Sequence, residues 1–590
     1  MKTIKILVIT SLLSFSVHAN KQIPDPQFFK AMESDKALWA ELDKGLFNSI
    51  VDIVGCALSI AEDVALSLLN PIQNLIKDTQ PAIVNNPYKN IKAYVRRGEP
   101  ICDLEMDFRN KRFYWVKEAQ EGMLGIPLDD EDVLEIACSF SGGGWRAMCW
   151  ALGACGGAKK IGLFDSTMYT SSLSGSTWCF GPLLSTGLGL EEYRDRLLDV
   201  ARNGIDLRGF ADIAPMIDNF WVKFAYNQPM GIVDPYGALL ANALLRNLDK
   251  NPHEIYLSNQ RAMLENGSLP MPVYTATLGE REKLEFWFEF TPYEVGSRWL
   301  SAYVPSWAFG RHFKNGVSVD DAPELSFGFL MGTFGSAFAA DFEDVYDIIF
   351  DRIEFPSFLQ GIPFAETIFY AVKQVFSRLA YSSDIGDIRI AYSRVSNFVY
   401  KMDGVAHNDY KNLRLVDAGL DFNNPVFATY RKPPYGDAPD IIFIFDASSA
   451  LDYRDIAKII DYAKYNGLKF PEIEEFEVGK QIMTVFKDDD DLEVPVVVYM
   501  PRVNGINMVQ RHHYKFWYDY YLEVLEGFDL EKAIASGFAN TYNFNYTYRQ
   551  AEQLVAAAEF NLLAVSDKVK EVMRDRIEAK RRMRRKSVEE

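Results

Sequence analysis

The chain has 590 residues, of which 48% are hydrophobic and 14% aromatic, enough apolar material for a large globular core. Its formal charge of -19 at pH 7 excludes a nucleic-acid partner, because phosphate backbones are held by basic surfaces that release counterions. It also excludes adsorption to anionic lipid through net charge, so membrane contact has to come from local basic or apolar features.

Residues 1–19 read as a secretory signal peptide. Lys2 and Lys5 lead an apolar run from Ile6 to Val17, and Val17-His18-Ala19 supplies a small-residue cleavage site. This order predicts a mature chain beginning at Asn20 and a secreted or periplasmic protein. The bland alternative is a buried N-terminal helix. The six cysteines are too sparse for a disulfide scaffold, and Cys138, Cys149, Cys155 and Cys179 fall in the expected core as buried thiols. With no C-x-x-C, no His-Cys cluster and six histidines in all, neither a transition metal nor another cofactor is expected.

Residues 20–100 form a helical N-terminal segment in this reading. Phe47, Ile50, Val51, Val54, Leu58, Ala61, Ala65, Leu68 and Leu69 recur at helical spacing, while Asp52, Glu62 and Asp63 argue against a membrane span. The helix lacks the basic face of a surface-lying membrane helix, which favours packing onto the body. A connection through Asn85-Asn86-Pro87 follows. Residues 101–590 then alternate short apolar runs ending at Gly or Ser with helical periodicity, the pattern of an α/β domain. There is no internal repeat and no low-complexity stretch.

Three motifs carry chemistry. Ser141-Gly142-Gly143-Gly144-Trp145-Arg146-Ala147-Met148 follows the strand-like run Val133–Cys138 and opens a helix. Amides at such a turn, reinforced by the helix dipole, suit a developing oxyanion, which assigns that role to Gly143 and Gly144. Close packing of helix on strand would also demand glycine, whereas the phosphate-binding fingerprints G-x-x-x-x-G-K-[ST] and G-x-G-x-x-G are not met.

The second motif, Tyr169-Thr170-Ser171-Ser172-Leu173-Ser174-Gly175-Ser176-Thr177-Trp178, passes from an extended run into a helix. Small residues around Ser174 fit a strained nucleophile elbow, and equally a serine-rich helix cap. The third, Leu413-Arg414-Leu415-Val416-Asp417-Ala418-Gly419-Leu420, is an apolar strand ending in an acid. A carboxylate desolvated at a strand end is a stronger proton acceptor, which a serine nucleophile needs. Alone, it would read first as a turn cap.

Together these motifs resemble the catalytic domain of the cytosolic phospholipase A2 family, which is related to lysophospholipases and patatins and whose pattern has SGGGxRAM, GLSGSTW and VDSGLxxNxPxP in order. Family-like stretches recur at Cys102–Arg112, Phe290–Gly296, Met331–Phe338, Ile441–Ser448 and Tyr542–Tyr546, so the resemblance spans about 101–573. It implies a central mixed sheet flanked by helices with a nucleophile elbow. It also implies Ser174 as nucleophile, Asp417 as general base, Gly143 and Gly144 as oxyanion donors and Arg146 as phosphate ligand. A guanidinium beside the turn offers a forked donor for a lipid phosphate, though a surface ion pair is its alternative. The implied substrate is phospholipid or lysophospholipid at a membrane surface. Ser172 and Ala418 depart from the pattern, where the family has Gly and Ser.

Other features read more blandly. Phe350 to Phe364 follows the stretch after which the family carries its lid, and suits core packing equally well. Residues 20–100 are too few and too helical for the calcium-binding C2 domain common in the family, so no calcium requirement is expected. Asp488-Asp489-Asp490-Asp491 does not match an EF-hand loop and reads as a solvated hairpin tip. Lys580-Arg581-Arg582-Met583-Arg584-Arg585-Lys586 reads as a frayed, solvated helix end before it reads as a headgroup site. Rival functions are a Ser-His-Asp esterase using His512 or His513, and a catalytically weak lipid-binding protein on the same fold.

Overall fold

The computed structural model describes residues 86–204, 222–223, 225–230, 233–245, 251–278, 287–336, 392–420, 422–433, 436–509, 518–535, 537–541 and 543–589. All of them belong to one compact unit, Pro71–Glu590. The expected signal peptide, the 46–69 helix, the apolar segment 350–364, His512 and His513 lie outside the described residues.

In chain order the strands are β1 (Arg96–Arg97), β2 (Ile136–Phe140), β3 (Tyr169–Ser172), β4 (Met271–Leu278), β5 (Trp287–Phe290), β6 (Glu294–Ser297), β7 (Ala302–Pro305), β8 (Phe313–Lys314) and β9 (Val317–Ser318). They continue with β10 (Ser393–Ser396), β11 (Asn412–Val416), β12 (Ile441–Asp446), β13 (Thr484–Phe486) and β14 (Val496–Pro501). Twelve of them form one mixed sheet in the order β1-β7-β6-β5-β4-β3-β2-β12-β14-β13, with β11 joining β4 and β10 joining β11. Strands β4, β3, β2, β12 and β14 are mutually parallel and make the centre. The fold class expected from the sequence is therefore the one observed. Residues 86–100, the end of the segment expected to be helical, are instead a turn and an extended edge in which Arg96 and Arg97 pair with β7. Pro87, Gly98 and Pro100 punctuate that stretch against a helix.

Helices cover both faces, as a parallel sheet requires. They include α1 (Asp103–Leu124), α2 (Gly144–Ile161), α3 (Gly175–Thr186), α4 (Leu190–Asn203), α5 (Val233–Leu244), α6 (Phe327–Phe334), α7 (Arg454–Asn466), α8 (Tyr548–Ala564) and α9 (Ser566–Glu589). Strand β12 is apolar from Ile441 to Phe445 because it is buried on both sides. Ile442 and Ile444 pack with Ile456 and Ile459 of α7, whereas Ile441, Phe443 and Phe445 join the larger core that holds α2 and α8. Helix α8 lies so close to α2 that a methyl group on Gly157 would stand 2.9 Å from the Glu559 carbonyl.

Two peripheral readings can be settled. Asp488–Asp490 are exposed in the β13–β14 connection, as expected of a hairpin tip. The basic C-terminal run is not frayed. It is the last turns of α9, docked through Lys580, Arg581 and Arg584, while Arg582, Arg585 and Lys586 are exposed, as expected of a solvated helix end. Arg581 Nε donates to Asp132 Oδ2 at 2.8 Å, Arg584 binds the same carboxylate, and Lys580 reaches the Val133 carbonyl and Asp440 at 3.2 Å. Asp132 is a buried acid, and burying it unpaired would be expensive, so the guanidinium groups hold the helix end in place.

Candidate active site

Strands β2, β3 and β12 are parallel neighbours, so their carboxyl ends fall along one edge of the sheet. That edge is where open α/β sheets place their sites. Strand β2 leads through Ser141, Gly142 and Gly143 into α2, and β3 leads through Leu173 and Ser174 into α3.

The register of β4 explains how an acid more than two hundred residues away joins them. One edge of β4 pairs with β5 from Tyr274 to Thr277. The opposite edge pairs with β3 from Met271 to Tyr274 and with β11 at Thr277 and Leu278. Strand β3 runs up that edge and stops, β11 runs down it and stops, and about 10 Å separates their ends. Ser174 follows the Ser172–Tyr274 pair by two residues and Asp417 follows the Val416–Thr277 pair by one, so the two leave their strands on opposite sides of this gap.

Ser174 caps α3 with φ 50° and ψ -129°, a conformation costing a non-glycine residue roughly 1–3 kcal/mol. Its surroundings hold it there. Its amide donates to the Phe334 carbonyl at 3.0 Å, and its carbonyl accepts from Thr177 Oγ1 at 2.6 Å. Gly175 is required for a different reason: a Cβ there would collide with the Gly144 carbonyl, so the starts of α2 and α3 touch through main chain alone. Ser172 ends β3 as an ordinary extended residue, and the close main-chain approach falls on Gly175.

Asp417 is fully buried. Its amide donates to Ser336 Oγ at 3.2 Å, and its Oδ1 accepts from the Gly419 amide at 2.8 Å. One short stretch after α6, Phe334 to Ser336, thus anchors the main chain at both Ser174 and Asp417. The sequence marked Met331–Phe338 as family-like but gave no sign that its carbonyl and hydroxyl face these two residues.

The glycine turn lies alongside. Gly143 has φ 137° and Gly144 φ 61°, backbone states that side-chain-bearing residues rarely adopt. Gly144 opens α2, where the first amides have no intrahelical acceptor. Gly142 is turned inward: its amide donates to Asn423 Oδ1 at 3.1 Å, and a methyl group on it would stand 2.8 Å from Ser174 Cβ. Asn423 also approaches Gly419, next to Asp417, so one side chain borders the glycine turn, the serine and the acid.

Arg146 is buried, not on a helix surface. Nε donates to the Ala447 carbonyl at 2.8 Å, Nη1 to the Ala539 carbonyl at 2.6 Å and Nη2 to Thr541 Oγ1 at 3.2 Å. Nη2 also closes over Gly143, where a Cβ would strike it. Burial pushes the guanidinium down to about 10, and it stays charged at neutral pH. The five described cysteines are free and buried. Burial lifts the Cys138 and Cys149 thiols to about 12, which leaves them inert. Among the described residues no group of three or more His, Cys, Asp or Glu side chains is arranged to hold a metal ion.

The fold is that of a phospholipase catalytic domain. It matches a structure of human GIVD cytosolic phospholipase A2 with TM-score 0.67 and 22% identity, over 82% of this chain and 68% of that one. The same enzyme in complex with methyl gamma-linolenyl fluorophosphonate and terbium chloride matches with TM-score 0.62 at 23% identity, over 82% and 66%. The family model described as lysophospholipase catalytic domain matches residues 136–466, more than half of the chain, and the chain belongs to that family. Curated relatives include human cytosolic phospholipase A2 zeta, 27% identical over 70% of this chain and 54% of the relative. Mouse cytosolic phospholipase A2 delta is 26% identical over 70% and 55%. The chain therefore spans about half the length of the curated relatives it matches.

These relatives overturn the expectation of a secreted or periplasmic protein, since they are cytosolic by name. A short apolar run behind two lysines misled because its pattern, read alone, does not distinguish a leader from other apolar segments.

Proposed function

We propose that this protein hydrolyses fatty-acyl esters of glycerophospholipids or lysophospholipids at a membrane surface, through an acyl-enzyme on Ser174. What supports this reading is that the strands leading to Ser174 and Asp417 end on the same edge of β4, with Ser174 against Gly142 of the glycine turn.

Asp417 takes the Ser174 proton as the hydroxyl oxygen attacks the ester carbonyl. The Gly143 and Gly144 amides, preorganised by the turn and the α2 dipole, hold the negative oxygen of the tetrahedral intermediate. The proton passes to the departing glyceryl oxygen, and a lysophospholipid or glycerophosphodiester leaves. Water deprotonated by Asp417 then splits the acyl-enzyme, releasing the fatty acid and restoring the serine. Arg146, behind Gly143, supplies positive charge beside the oxyanion turn and is the proposed ligand of the lipid phosphate.

The test is release of fatty acid from mixed phospholipid and lysophospholipid vesicles, with and without calcium, read by mass spectrometry, together with labelling by a fluorophosphonate. Release and labelling by wild type but not by Ser174→Ala support the reading. Absence of labelling, or equal labelling of Ser174→Ala, replaces it with a lipid-binding role.

A further inference from the structure

A chain of hydrogen bonds joins the oxyanion turn to an acid on the neighbouring strand, and the mechanism above leaves it unused. Asn423 grips the Gly142 peptide from both sides: the Gly142 amide donates to Asn423 Oδ1 at 3.1 Å and, more distantly, to its main-chain carbonyl at 3.4 Å, and Nδ2 donates toward the Gly142 carbonyl at 3.4 Å. Nδ2 also donates to Ser448 Oγ at 2.6 Å. Ser448 Oγ donates to Asp446 Oδ1 at 2.5 Å, and the same oxygen accepts the Ser448 amide at 2.8 Å. Tyr499 donates to the other Asp446 oxygen at 2.6 Å.

The direction of this chain is fixed by chemistry. Ser448 has a single hydroxyl proton, which it donates to Asp446, so the serine oxygen is left to accept from Asn423. The amide nitrogen of Asn423 must therefore face Ser448, and its oxygen must face the Gly142 amide. We propose that Asn423 is a positioning residue for the oxyanion turn, oriented by Ser448 and Asp446. It ties the Gly142 N–H inward so that the next two amides, of Gly143 and Gly144, point at the substrate. The Ser141 hydroxyl, which accepts from the Ala447 amide at 2.7 Å, fastens the same turn to the end of β12. The inference rests on the hydrolase reading and deepens it.

The charged and titratable groups around the chain are Asp446 on β12, Asp455 on α7, Tyr499 on β14, Arg502 just beyond β14, Asp417 across Gly419, and Arg146 on α2. Asn423→Asp keeps the acceptor for Gly142 but can donate to Ser448 only when protonated, and nearby Asp446 favours the protonated form.

The experiment measures kcat and KM on phospholipid vesicles for wild type, Ser174→Ala, Asn423→Ala, Asn423→Asp and Ser448→Ala. Losing the aim of an oxyanion donor, without losing the donor, lowers kcat on the order of tenfold for Asn423→Ala and Ser448→Ala, with KM unchanged. The activity of Asn423→Asp relative to wild type rises as pH falls from about 8 to about 6. A flat ratio, or wild-type kcat in Ser448→Ala, overturns the proposal, and Ser448→Ala alone decides it where Asn423→Asp fails to fold. Hydrolysis that depends on Ser174 but ignores Asn423 and Ser448 removes only this inference, whereas wild type without Ser174-dependent hydrolysis removes the hydrolase reading along with it.

Discussion

Ser174 and Asp417 leave the ends of two strands that run along one edge of β4 from opposite directions, Ser174 two residues past the Ser172–Tyr274 pair of ascending β3 and Asp417 one residue past the Val416–Thr277 pair of descending β11. Two strands stopping short on one edge leave a slot, and each delivers its next residues into it.

If that slot is catalytic, Ser174→Ala and Asp417→Asn each lower fatty-acid release on the order of 10³-fold or more, and only Ser174→Ala loses fluorophosphonate labelling outright. The backbone strain gives a second, independent outcome. Ser174→Gly accepts φ 50° without cost, so thermal unfolding should find it more stable than Ser174→Ala by roughly 1 kcal/mol. A less stable Ser174→Gly would mean that the elbow stores no strain.

Arg146 offers a test that separates anchoring from substrate binding. Lysine cannot reproduce three directional N–H bonds to Ala447, Ala539 and Thr541. Arg146→Lys is therefore expected to cost stability, on the order of 2–4 kcal/mol, by leaving buried carbonyls poorly paired. If the guanidinium also meets the lipid phosphate, KM rises for phospholipid and stays put for a phosphate-free fatty-acyl ester. An equal loss on both substrates would confine Arg146 to holding the 539–541 segment.

Glu324 gives a pH-dependent stability. Burial pushes its carboxyl up to about 7, against the pull of two hydrogen bonds from Ser258 and the nearby Arg261 charge. The folded state therefore binds the proton more tightly than the unfolded chain, whose glutamates titrate at about 4.3. Stability falls as pH rises from about 4.3 to about 7 and is level above that. Glu324→Gln should flatten this slope and be more stable than wild type above about pH 7, by on the order of 1–3 kcal/mol. Denaturant titrations at several pH values check it.

The sequence made the central elements legible because their physics is local. A doubly buried strand such as β12 is apolar residue by residue from Ile441 to Phe445, and a glycine run before a helix reads as a turn of exposed amides. Register is not local. Nothing in the chain order announces that β3 and β11 share an edge of β4, that Ser336 holds the Asp417 amide, or that Ser448 orients Asn423. Arg146 was legible as a residue beside the turn but not as a buried staple, since its partners are two carbonyls and a hydroxyl supplied by three distant positions. The leader-like pattern at Lys2 to Ala19 shows the opposite failure, a local signal that the relatives overrule.

The C-terminal basic run was also misread in part from local charge, and its docking predicts how it behaves. Its partners Asp132, Val133 and Asp440 precede β2 and β12, so it sits at the amino ends of the central strands, across the sheet from Ser174. Burial alone would raise the Asp132 carboxyl, but hydrogen bonds and charge from Arg581 and Arg584 bring it below the usual range. A depressed acid stabilises the fold above its unfolded value of about 3.9, and the contribution is lost as pH falls through the folded value. Asp132→Asn should thus lower stability at neutral pH by roughly 1–2 kcal/mol, with the deficit closing below about pH 4. Arg581→Gln with Arg584→Gln should do the same while leaving hydrolysis on vesicles unchanged, because the cations serve the helix and not the bilayer. Loss of vesicle binding in that double variant, at undiminished stability, would return the cluster to the membrane.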